Sequence, residues 1–162
     1  MNKSNEISNL RHALNYMGQV EVKKFIALLA LANLGDNKPF ELIHLSLIRA
    51  KFCELMGQAK SLSNNPPTGF LLGLFSLLDA LLDQPMQGIV EKLPIGGNIK
   101  AALCGDESDL RQFLSLIRAF EAGYWNGVAN ISKQLSLDLK MTQAFYNESL
   151  KWGIAMKQCA SG

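Results

Sequence analysis

The segment Phe70 to Leu82, FLLGLFSLLDALL, constrains the chain more than any other stretch. It follows a proline- and asparagine-rich loop, Ser61 to Thr68 (SLSNNPPT), and precedes Pro85. Leu71, Leu72, Leu74, Phe75, Leu77, Leu78, Leu81 and Leu82 leave almost no polar face on a helix. A helix that is apolar all round belongs at the centre of a fold. Its 13 residues fall short of the roughly 20 that a membrane span needs, and Asp79 interrupts them. The expectation is a central buried helix, from about Gly69 to Leu82, in a cytoplasmic protein with no membrane insertion.

The remaining punctuation points to further helices. Leucine occurs 27 times, valine four times and threonine twice, and no four to eight residues alternate apolar and polar. Leucine keeps its rotamer freedom in helices, whereas β-branched residues favour strands. The spacing predicts helices from Ser8 to Met17, from about Val20 to Leu34 and from Pro39 to about Lys60. After the central helix, Asp83 reads as a cap and Pro85 as the first turn of a short helix to Lys92, broken by Pro94. Others cover Asn98–Leu103, the acidic start Asp106–Asp109 through Ala122, Trp125–Gln134 and Leu139–Lys157. The architecture expected is an all-α, irregular bundle of about eight or nine helices, one domain over residues 1–162.

Composition and charge exclude several functions. Sixteen basic and 14 acidic residues give a net charge of +2, too little field for a nucleic-acid binder that relies on basicity. Lys23-Lys24 and Lys51 read as solvated helix faces. Cys53, Cys104 and Cys159 lack zinc-ligand or redox spacing and read as reduced structural thiols. There is no G-x-G-x-x-G or Walker pattern, and Gly96-Gly97 beside Lys100 reads as a turn. His12 and His44 are the two histidines and no His-Asp doublet occurs, so neither metal nor cofactor is expected.

Two positions stand out. Asp79 lies in the most apolar helix, where an unpaired charge is costly, so it calls for a cation. Arg49 on the preceding long helix is the first choice, with Glu54 as a second carboxylate nearby, giving a structural or switch ion pair. Trp125, in EAGYW after a glycine stop, reads as an anchor filling the gap between two helices.

Several segments together resemble HDOD domains, relatives of the HD metal-dependent phosphohydrolases. They are ISNLRHALNYMG at 7–18, LIRAKFCE at 47–54, FLLGLFSLLDALL at 70–82, LPI at 93–95 with IKAAL at 99–103, and Glu121-x-Gly-x-Trp125. The resemblance is specifically to the HDOD half of bacterial proteins that pair it with an EAL domain, a type associated with cyclic di-GMP. It implies a non-catalytic signalling module. Family members often keep a His-Asp doublet after a Gly-Leu-Leu segment, and against Gly73-Leu74-Phe75 that doublet falls on Ser76 and Leu77. His44 lies about one residue from an earlier ligand position. Family members also have helices before the Ile7 segment, so the chain is expected to match the C-terminal part of a longer protein. The partners implied are an EAL domain in cis or another protein, with a homodimer as a further arrangement. A divergent HD-type phosphohydrolase and a small-ligand sensor, with a pocket near Trp125 or Asp79, are the alternatives.

Overall fold

Two glycines set the central helix crossing. The computed structural model describes residues 40–62, 68–93 and 95–161. Its first helix, α1 (Phe40–Ala59), is crossed by α2 (Thr68–Phe75), every residue of which is buried. A Cβ on Gly69 would collide with the Cys53 carbonyl, and one on Gly73 with the Arg49 carbonyl. Glycine at i and i+4 thus lets two helix backbones touch where any side chain would hold them apart. α1 ends with Ser61 in the left-handed region (φ 61°) while Leu62 N donates to Gly57 O at 2.7 Å.

The apolar run is not one helix. It breaks at Ser76-Leu77 and resumes as α3 (Leu78–Leu82). The Ser76 hydroxyl donates to Gly73 O at 2.7 Å, and the Ser76 amide reaches the same carbonyl at 3.3 Å. A serine side chain that takes a local carbonyl competes with the helical ladder and favours a turn. The expected central helix from Gly69 to Leu82 is therefore corrected to α2 plus a short α3, with only α2 wholly interior. Asp83 likewise closes α3 in the left-handed region (φ 52°) and does not cap the next helix.

The other elements match the sequence reading closely. They are α4 (Met86–Val90), α5 (Gly97–Leu103), α6 (Asp109–Ala122), α7 (Trp125–Gln134) and α8 (Leu139–Ser161). Ser108 caps α6, its Oγ accepting from Arg111 N at 3.1 Å, and Gly123 ends it at φ 67°. α8 packs on α1, and α6 lies against both α1 and α7. Phe52, Phe70, Phe113, Met56, Leu72 and Leu74 form the innermost core. The described residues hold eight helices and no strand, in agreement with an all-α fold. The expected helices at 8–17 and 20–34, with His12 and Lys23-Lys24, lie outside the described residues. No helix among these residues is long and apolar enough to cross a membrane.

Candidate functional site

The site expected from the resemblance is the Ser76-Leu77 turn, and it is built from three helices. α1 carries Arg49, only 6% exposed, and aims its guanidinium past α2. Nη1 donates to Ser76 Oγ at 3.3 Å. Nε and Nη2 donate to Oε2 and Oε1 of Glu121 on α6, at 3.0 and 2.7 Å. This bidentate pair is the strong form of an arginine–carboxylate contact. One guanidinium therefore ties α1, the α2–α3 turn and α6 together.

The expected pairing of Arg49 with Asp79 is corrected. Asp79 is exposed, and its Oδ1 accepts from the Ala80 amide at 2.9 Å. The break at Ser76-Leu77 is the cause, because it turns α3 away from the path that a continuous helix would follow. Glu54 does not join Arg49 either. It lies near Lys51, with Nζ to Oε2 at 3.8 Å, while that Oε2 makes no hydrogen bond. Burial pushes the Glu54 carboxyl above its ordinary value; Lys51 opposes this, and Glu148 on α8 adds to it.

Glu121 is the site residue that the sequence reading missed. The signal was present: Leu110, Leu114, Ile117 and Glu121 share one stripe of α6, and the first three are buried. An acid continuing an apolar stripe calls for a cation, the same logic that was applied to Asp79.

Around the pair the charges are mixed. Partial burial, then Arg111 and Arg49, lower the Arg118 pKa, while Glu121 and Asp79 raise it. Arginine keeps its charge regardless. Burial raises the Tyr146 hydroxyl, with Glu121 adding to the effect. The Tyr146 ring stacks on Phe120 at 4.6 Å, with Phe52 edge-on to Phe120 at 5.8 Å. Cys53 is fully buried, and desolvation pushes its thiol up to about 12.

This arrangement does not fit a metal of the HD type. Ser76 and Leu77 supply neither an imidazole nor a carboxylate. The Arg49 guanidinium hydrogen-bonded to Ser76 would also repel a cation placed there. Among the described residues no three His, Cys, Asp or Glu side chains converge as a metal cluster. His44 lies on α1 beside Gly153 of α8, where its Cε1 would meet an added Cβ at 3.2 Å.

Trp125 is corrected as well. It does not fill a gap between the described helices: 61% of it is exposed, and its ring lies edge-on to Phe120 at 6.3 Å. A groove of about 350 Å³, lined by Lys60, Thr68, Asn98, Asp106, Glu107 and Asp109 among others, lies at the opposite end of α6 from Glu121.

The chain is similar to two curated proteins. It is 38% identical over 146 residues to the cyclic di-GMP phosphodiesterase CdgJ of Vibrio cholerae, covering 90% of this chain and 34% of that protein. It is 34% identical over 152 residues to the uncharacterized protein YuxH of Bacillus subtilis, covering 92% of this chain and 36% of that one. The chain thus spans about a third of the length of the curated relatives it matches. No family model and no solved structure matches it.

Proposed function

We propose that the chain is a non-catalytic regulatory and interaction module of the HDOD type, acting in bacterial cyclic di-GMP signalling beside an EAL domain. The observation that carries this reading is the Ser76–Arg49–Glu121 linkage. Where the resemblance puts a His-Asp doublet, a hydroxyl is held by a guanidinium that is itself neutralised by a buried-side carboxylate. That grouping ties three helices together and commits its hydroxyl, guanidinium and carboxylate to one another. The similarity to a cyclic di-GMP phosphodiesterase about three times as long supports the signalling context. On this reading the hydrolytic activity belongs to the remaining two thirds of such proteins.

The test is hydrolysis of cyclic di-GMP and of a generic phosphodiester by the purified chain, with Mn²⁺ or Mg²⁺ and with chelator. The reading expects no turnover above a protein-free blank. Turnover that chelator removes would favour the divergent phosphohydrolase instead.

A further inference from the structure

The groove at the start of α6 differs in character between its floor and its rim. Leu62 after α1, Ala101 of α5 and Leu110 of α6 supply apolar surface, and the volume is about 350 Å³. That is the small end of the concavities that seat a ligand, roughly 300–1,000 Å³. Asp106, Glu107 and Asp109 border it, and all three are exposed. Asp109 complements the dipole of α6 from within the first turn, but Asp106 and Glu107 lie ahead of the helix.

These carboxylates are not neutralised from within the described fold. None of the three makes an ion pair among the described residues. Lys60 is the cation of the lining, and its ammonium donates to the Leu135 carbonyl at the end of α7, at 2.8 Å. Arg111, the next cation along α6, donates to the Ala102 carbonyl at 3.2 Å. The rim is therefore negative on a chain whose net charge is +2.

That combination selects the occupant. A nucleotide or an anionic lipid headgroup would bring phosphate against three carboxylates. A second copy seated here by two-fold symmetry would face its own acidic rim with the same charge. A lysine or arginine side chain has both of the parts required. Its stem lies along apolar surface while its charged head stays at the wet edge, beside the carboxylates.

We propose that this groove docks a segment of a partner protein that carries arginine or lysine among apolar residues. The proposal rests on the reading of the chain as an interaction module, yet the two fail separately: phosphodiester turnover would overturn that reading and leave peptide binding untouched.

The experiment is fluorescence anisotropy of a short labelled peptide of arginine, leucine and serine, titrated with the full chain to near-millimolar concentration. One companion peptide replaces its leucines with serine, and another replaces its arginines with glutamate. The chain variants are Asp106→Asn/Glu107→Gln/Asp109→Asn at the rim and Ala101→Phe to fill the floor. Glu41→Gln/Glu91→Gln/Asp138→Asn removes the same charge at exposed positions that do not line the groove. Far-UV circular dichroism verifies folding. The expected result is saturable binding of the first peptide, weakened about ten-fold or more by either companion change and by either groove variant. The off-groove triple variant leaves it unchanged. A wild-type chain that does not bind the first peptide would overturn the proposal. So would binding that either folded groove variant leaves intact, or that the off-groove variant weakens equally.

Discussion

Arg49 and Glu121 stand 72 residues apart in sequence and meet as a bidentate pair, with donor–acceptor distances of 3.0 and 2.7 Å. The contact joins the longest helix of the interior to the far end of α6 and reaches Ser76 on the way. Breaking a largely buried pair from one side leaves a charge without a partner, which costs more than the pair contributes net. Arg49→Ala should therefore destabilise the chain by about 3 kcal/mol in urea unfolding. Arg49→Met combined with Glu121→Leu should recover most of that loss. Destabilisation of the double variant equal to the sum of those of Arg49→Met and Glu121→Leu alone would show that the two residues act independently.

The crossing of α1 and α2 makes a sharper prediction. At Gly73 an added methyl meets the Arg49 backbone, which cannot move aside as a flexible side chain would. Gly73→Ala should cost about 3 kcal/mol or more, and Gly69→Ala a similar amount. Gly88, with nothing within 4 Å of an added Cβ, is the matched control. Gly88→Ala in α4 should be neutral or stabilise by up to about 1 kcal/mol. Thermal unfolding of the three variants separates these outcomes.

Cys53 should behave as an inert thiol. Desolvation raises it to about 12, so at pH 8 almost none is thiolate, and no reagent reaches it in the folded chain. In a Cys104→Ser/Cys159→Ser background, the thiol should react with a disulfide reagent at the rate of global unfolding. Rapid labelling of the native chain would contradict this.

Glu54 sets a pH dependence. Its folded pKa is raised, so the folded state binds the proton more tightly than the unfolded state. Its contribution is then most favourable below the ordinary value of 4.5 and is lost as pH rises through the folded value. Glu54→Gln removes that penalty. The melting temperature of the variant relative to wild type should climb as pH rises from 4 toward neutrality. Lys51, which loses a neighbour, offsets part of the gain. A difference that stays flat or falls with pH would contradict the assignment.

The helices were legible because their ends are written in local chemistry. Gly123 stops α6, Trp125 opens α7 and Leu139 opens α8 at the positions read from sequence. Ser76 was not legible as a breaker, since in an apolar run it reads as a tolerated small residue. Only the Arg49 donor beside it and its bond to Gly73 O explain the turn. That break misdirected the search for a partner to Asp79. Arg49 does pair with an acid, but that acid is Glu121 on α6 rather than Asp79, a distance that spacing does not encode. Trp125 was misread because a tryptophan after a glycine stop fits a packed corner and an open one equally well; tertiary context decides between them.

The central claim is that the Ser76 turn holds a guanidinium where the resemblance would place an ion. Equilibrium dialysis of the purified chain against micromolar Mn²⁺, with metal analysis of the protein fraction, tests it most directly. The account predicts no bound manganese beyond the buffer level, and no change on Ser76→Ala. One manganese per chain, lost when Ser76 or His44 is replaced by alanine, would contradict it.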